Sequence, residues 1–232
     1  MNDDADGPAR EVRVLDVLRD RPEWSAAVGR LRQLYAQGGA TARDRAARYG
    51  QEYAGQRGAM VVDVVASRQR NYLSKVRRIV DRWREEAEEP TLAWLGANPP
   101  DRAHLGLMAA EPETMRQVAE NLVAFARSRG LDEEEGCYLW AKEVEGLEHA
   151  HGLDPVVGSV SGIGPALFAL MHMHCGSNAI KPDLRVRREL RRLGFVVPGG
   201  EHAILVVAKA AAADLGVDLL VLDQLLWWAE PG

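Results

Sequence analysis

Residues 160–194 read VSGIGPALFALMHMHCGSNAIKPDLRVRRELRRLG. The stretch opens on Gly162-Ile163-Gly164-Pro165, runs through an apolar segment, and ends in a segment carrying five arginines. The two glycines permit a tight turn and close backbone approach. Ile163 between them is placed to plug into a core, and Pro165 fits the first turn of a following helix, where its missing N–H costs nothing. Free amides in such a turn, beside a helix N-terminus, point at an approaching anion. An ordinary glycine turn between two helices carries the same letters, so Gly-Ile-Gly alone does not separate the two readings.

The second half of the stretch adds a carboxylate. Lys181-Pro182-Asp183 precedes LRVRRELRRLG, whose Val186, Leu190 and Leu193 fall on one helical side and whose Gly194 marks a stop. Asp183 therefore stands at a helix N-terminus, where the dipole and the unpaired amides favour an ionised side chain. An N-cap is also the commonest structural use of aspartate there.

Working outward, the 232-residue chain has a net charge of −5, but the charge is unevenly spread. Residues 67–84, SRQRNYLSKVRRIVDRWR, hold seven bases and one acid, and residues 161–194 hold six bases and two acids. Residues 85–154 hold sixteen acids and five bases. Two basic islands in an acidic background suit local phosphate contact, although basic helices are more often solvated faces. Two cysteines, Cys137 and Cys175, exclude a disulfide framework or a four-cysteine cluster. The start, MNDDADGPAR, lacks the apolar core of a secretory signal. Lys209, Asp214 and Asp218 break the longest apolar run, so no membrane span and a cytoplasmic, reducing setting are expected.

Helical spacing recurs nearly everywhere: in 11–20, 22–37, from about 40 to 56, in 112–130 and in 133–151. YLSKVRRIVDRWREEA places Leu73, Val76, Ile79, Val80 and Trp83 on one stripe. AMVVDVVASRQ is an apolar run open to either strand or buried helix, and residues 88–106 read as the longest irregular connection. No Asn-Gly hairpin and no repeat period is present. The fold class is all-α, with roughly ten helices.

Taken together, the Gly-Ile-Gly turn and the Asp183 segment resemble the helix-hairpin-helix-GPD superfamily of DNA glycosylases, which includes endonuclease III-type and 3-methyladenine-type enzymes. The hairpin there reads roughly Leu-Pro-Gly-Val-Gly; here it is Val160-Ser161-Gly162-Ile163-Gly164. Asp183, Val186, Arg188, Arg192, Leu193 and Gly194 fall on the offsets of the catalytic aspartate segment. Ser67-Arg68-Gln69 resembles the Ser-x-Gln whose glutamine enters the DNA stack, and LDQLLWW resembles the closing helix. The likeness covers about Val61 to Trp228, with only 160–194 specific.

The resemblance implies two helical subdomains with a helix-hairpin-helix and a catalytic cleft between them: a barrel of residues 59–178, and residues 1–58 packed with 179–232. It implies a monomer acting on double-stranded DNA that carries a modified base, which must leave the stack to be reached. Asp183 would stabilise the oxocarbenium-like sugar and orient or deprotonate water. Gly162, Ile163, Gly164, Arg68, Gln69, Arg70, Lys181 and Arg185 would contact DNA. Asn71, Tyr72, Ala166 and His172 would border the base. Ala166 stands where bifunctional members carry their Schiff-base lysine, so hydrolysis by water is expected. Ser161 replaces a proline, Arg185 a frequent histidine, and no iron–sulfur cysteines follow. No cofactor is expected, save a monovalent cation at the hairpin. The alternative is a non-catalytic DNA-binding protein on the same scaffold.

Other residues read more plainly. His172 and Cys175, three apart in Met171-His172-Met173-His174-Cys175, lack further ligands for a metal. Trp140, Tyr138, Trp227 and Trp228 read as core rather than stacking platforms. Glu133-Glu134-Glu135 reads as a solvated helix start.

Overall fold

The computed structural model describes residues 16–229. Among these, every regular element is helical and no strand is present. The chain divides into two compact units: residues 47–181, and a unit formed by both chain ends, up to Ala46 and from Pro182 onward. Of the helix expected at 11–20, residues 16–19 are helical and 11–15 lie outside the described residues.

The central unit is built around helix α2 (Arg57–Ala66), every residue of which is buried. The open choice between strand and buried helix at 59–69 is settled by its neighbours. Helices α3 (Arg77–Glu86), α4 (Leu92–Ala97), α6 (Glu111–Ser128) and α8 (Pro165–His174) all pack on it, so an apolar run is needed on all sides. Gly58 lets α2 cross the 90–91 segment closely: its N–H donates to Pro90 O at 2.9 Å, and a Cβ would lie 2.3 Å from Thr91 O.

Residues 88–106, expected to be irregular, instead hold α4 and α5 (Arg102–Leu105). Their N-caps, Thr91 and Asp101, accept the amides of Trp94 and His104, signals that the proline-rich spelling masked. Nor is the glutamate run of α7 (Glu133–Glu143) simply solvated. Glu133 accepts Leu92 N and Ala93 N at 2.8 Å each and so caps α4. Glu134 holds Arg57 and Gly55 N. Only Glu135 behaves as a local start, in a capping box with Asp132.

The boundary of this unit falls at 46/47, inside α1 (Pro22–Tyr49), rather than at 58/59. The reason is side-chain packing: Tyr49 stacks on His174 at 4.7 Å, Tyr53 meets the same ring edge-on at 4.9 Å, and the Tyr53 hydroxyl donates to Asp63.

In the chain-end unit, α9 (Leu184–Arg192) and α10 (Glu201–Leu215) pack with α11 (Leu219–Ala229). Asp214 accepts Arg19 Nε and Trp24 Nε1 at 2.8 Å each, which ties the start of α1 to α10. Helix α9 ends in a left-handed glycine, Gly194 at φ 94°: Gly194 N bonds Arg191 O and Phe195 N bonds Leu190 O. Phe195 then packs edge-on against Trp24 at 4.9 Å.

Candidate nucleic-acid interface

Within the central unit, α2 ends at Ala66 and the chain turns sharply through Ser67–Asn71. Gln69 is exposed and adopts φ 55°, the one positive φ of a non-glycine residue among those described. Strain of this kind persists only where surroundings impose it, and it concentrates at functional sites. Asn71, expected near the base, uses its side chain locally: Oδ1 accepts Ser74 N and Ser74 Oγ at 3.0 Å each, capping a single π turn over Tyr72–Val76. The wider turn shifts the helical phase. Leu73 therefore leaves the expected stripe and is 51% exposed, while Val76, Ile79, Val80 and Trp83 stay buried. Lys75, Arg78 and Arg82, at three- and four-residue spacing, form an exposed basic row.

The turn is fastened from two sides. Arg70 makes a bidentate pair with Glu111 at 2.6 and 2.8 Å, its side chain 9% exposed and that of Glu111 2%. It also donates to Ala66 O and Gly106 O. Arg70 thus holds the turn, its guanidinium bonded to Glu111, Ala66 O and Gly106 O. Three residues further along α6, Thr114 Oγ1 donates to Ser161 O at 2.9 Å and so anchors the glycine turn. Arg68, exposed, reaches the same turn: its Nη1 lies 3.6 Å from where a Cβ on Gly162 would be.

The glycine turn itself closes with Ile163 N on Val160 O at 3.0 Å, with Gly162 at φ 95° and Ile163 buried. Gly164 is different, at φ −111° with open space around its Cβ direction. It is the N-cap of α8 and has no capping side chain, which leaves the first amides of that helix to an outside acceptor. Ala166 sits half-buried in this first turn. Upstream, the expected helix is a 3-10 segment, Leu147–Leu153, followed by a loop organised by Asp154. That buried carboxylate accepts Val156 N, Val157 N, Gly158 N and Trp140 Nε1.

Asp183 belongs to the chain-end unit and is the N-cap of α9: Oδ1 accepts Arg185 N at 2.9 Å and Val186 N at 3.0 Å. Arg185, expected on DNA, stacks over Trp227 at 3.8 Å and donates to Trp227 O. Arg191 donates to Val197 O and Arg192 to Glu189, so much of the arginine-rich helix serves its own unit. The aromatic expectations divide: Trp140 is fully buried, whereas Tyr138 and Trp228 are each 50% exposed, under Lys142 and Arg45 respectively.

His172 is fully buried between Trp140 and Phe168, with Nδ1 3.4 Å from Glu148. That enclosure places its ring in the core of the central unit. No group of three or more His, Cys, Asp or Glu among the described residues could hold a metal ion.

Sequence reasoning missed a buried polar network. Asp63, on α2, is 1% exposed. Its Oδ2 accepts the hydroxyls of Tyr53 and Tyr72, the latter at 3.1 Å, and Oδ1 accepts Ser67 Oγ at 3.2 Å. Burial raises its pKa above the ordinary carboxylate value, outweighing those hydroxyls and the field of Lys181. His174, beside it, is lowered to about 3 by burial, helped by Lys181 and Arg57. Lys181 is half-buried, and its charge is felt at both groups. The one available signal was an acid alone in the otherwise apolar run AMVVDVVA.

No protein-family model, no curated protein and no solved structure matches the chain. No helix among the described residues is long and apolar enough to cross a membrane.

Proposed function

We propose that the protein is a monofunctional DNA N-glycosylase that flips a modified base from the duplex and releases it by hydrolysis, leaving an abasic site. The observation that carries this reading is the clasp in the central unit. A strained, exposed Gln69 follows an exposed Arg68 that reaches a glycine turn whose Gly164 faces open space. Gln69 would fill the gap in the stack. The amides at Gly164 and the start of α8, with Arg68 and Lys181, would hold phosphates and fix the register without reading sequence. A monovalent cation, when bound, would neutralise phosphate charge at this turn and be held by main-chain carbonyls. Those of Val160 and Ser161 each accept one hydrogen bond already.

The chemistry is assigned to Asp183. Two backbone amides fix its Oδ1, and a carboxylate held in this way could face a positively charged sugar and orient water. Ala166 offers no amine for a Schiff base, and only four lysines exist in the chain.

The test is incubation with duplex oligonucleotides that each carry one modified base, followed by alkali. The expected result is strand breakage only after alkali, with no covalent adduct trapped by borohydride. A trapped adduct that vanishes in Lys181→Ala would make Lys181 the nucleophile. Tight binding without release of any base would leave the non-catalytic DNA-binding reading.

A further inference from the structure

Helix α3 carries charge that the reaction above does not use. Its buried side is Ile79, Val80 and Trp83, with Val76 just before it. The row of Lys75, Arg78 and Arg82 stays exposed. Its ends are about 10 Å apart along a helix axis. The row begins directly after the clasp: Asn71 closes the Ser67–Asn71 turn and caps the π turn that carries Lys75.

Helix stability does not account for this arrangement. Cations are disfavoured at a helix N-terminus and favoured at its C-terminus. Yet the first turn of α3 holds Arg77 and Arg78 with no acid, whereas Glu85 and Glu86 close the helix. Like charges three and four residues apart repel, and Lys75 with Arg78 and Arg78 with Arg82 are such pairs. Neighbouring charges are engaged: Arg70 by Glu111, Arg84 by Asp81 at 3.9 Å, and Glu86 by His104. Arg77, off the row, acts on Glu52 through its field. No hydrogen bond or ion pair engages the side chains of Lys75, Arg78 or Arg82 among the described residues. In a chain of net charge −5, this row costs its own helix stability and meets no acid.

We propose that Lys75, Arg78 and Arg82 form a phosphate-tracking row that holds one strand of the duplex beyond the clasp, whether or not a modified base is present. The inference rests on the DNA partner of the reading above and deepens it. Each strand of B-DNA places one charge about every 3.4 Å along its axis, so a row of about 10 Å faces roughly three phosphates. Contacts of this kind set position and carry no sequence information. They release the counterions condensed on each neutralised phosphate, which gives the row a signature in salt.

The probe is an unmodified, fluorescently labelled duplex, its affinity measured by anisotropy over a series of salt concentrations. In the triple variant Lys75→Gln, Arg78→Gln and Arg82→Gln, the slope of log affinity against log salt should become shallower by about 2.7, at about 0.9 per phosphate. Affinity near 0.1 M salt should fall on the order of 100-fold, and the two curves should converge as salt rises. A control removes the same charge on and just after α6, through Arg116→Gln, Arg127→Gln and Arg129→Gln, and should change the slope by less than about 0.9. The row variant should melt at or above the wild-type temperature, because repulsion along α3 is relieved. A lower melting temperature would make the row structural and overturn the proposal. So would an unchanged slope, or an equal change in the control, which would assign the effect to net charge. Tighter binding of the wild type to phosphatidylserine-rich vesicles than to the duplex would assign the row to a membrane surface and overturn it as well. Base release is scored separately, with the wild-type protein on the modified-base duplexes. No release together with the expected slope change would strike the glycosylase reading and leave the row. Release together with an unchanged slope would strike the row and leave that reading.

Discussion

Replacing Glu111 by alanine while Arg70 remains strikes the clasp at its most buried point. The two side chains are 2% and 9% exposed and share two hydrogen bonds of 2.6 and 2.8 Å. Removing one member of such a pair leaves an uncompensated buried charge, which costs about 3–5 kcal/mol. Met108 N also loses its acceptor, at present 2.7 Å away; leaving that amide unsatisfied adds roughly 1 kcal/mol. The melting temperature of a chain this size should then fall by about 10 °C. The assay is thermal and urea unfolding followed at 222 nm, with DNA affinity measured well below the transition. Affinity should drop as well, because Arg70 fixes the segment that presents Arg68 and Gln69. A double variant, Arg70→Met with Glu111→Leu, should recover at least about 2 kcal/mol of the loss, because it removes both charges together. The reasoning fails if Glu111→Ala costs less than about 1 kcal/mol, or if the double variant costs the sum of the two single ones.

Three further outcomes are expected. Asp183→Asn should keep the α9 cap and the fold, since asparagine caps well, yet lower turnover at least about 100-fold while DNA binding persists; near-normal turnover would remove Asp183 from the mechanism. The two turn glycines should separate: Gly162→Val should destabilise by about 1–3 kcal/mol, because φ is 95° and a Cβ meets Thr114 Oγ1 at 2.9 Å. Gly164→Val, pointing into open space, should leave the melting curve nearly unchanged but weaken binding to every DNA sequence; equal affinity would make the turn purely structural. His174, lowered from 6.5 to about 3, binds a proton in the unfolded chain before it does in the folded one. Its contribution to stability is therefore complete above pH 6.5 and is lost as pH falls toward 3, on the order of 5 kcal/mol in total. His174→Gln should flatten that acid limb in pH-dependent urea melts. The raised Asp63 works in the opposite sense, since its contribution declines as pH rises above the ordinary carboxylate value.

The candidate site was only partly legible in the letters. The Gly-Ile-Gly turn, Gln69 and the Asp183 cap are set by local chemistry: a glycine at positive φ, a helix end, a carboxylate beside free amides. Each was therefore visible in a few consecutive residues. The surroundings of Arg70, Arg185 and His172 were not legible because they depend on distant partners, namely Glu111, Trp227 and the pair Trp140 and Phe168. Asp63 was passed over because its meaning comes from Tyr53, Tyr72 and Ser67, which lie off the run that contains it.

The sequence by itself determined the all-helical class, because apolar residues recur at three- and four-residue spacing over most of the chain, and it placed the caps and stops of several helices. It also separated the basic segments from the acidic middle. Only the tertiary structure decided that AMVVDVVA is a helix, since a run buried on all sides has no period of its own to declare. It alone showed which arginines remain open to solvent, because charge is written in the sequence but its neutralisation is not. The unit boundary inside α1 belongs to the same class of fact: Tyr49 and Tyr53 go with the central unit because of the rings and carboxyl they touch, and contact across long stretches of chain has no local spelling.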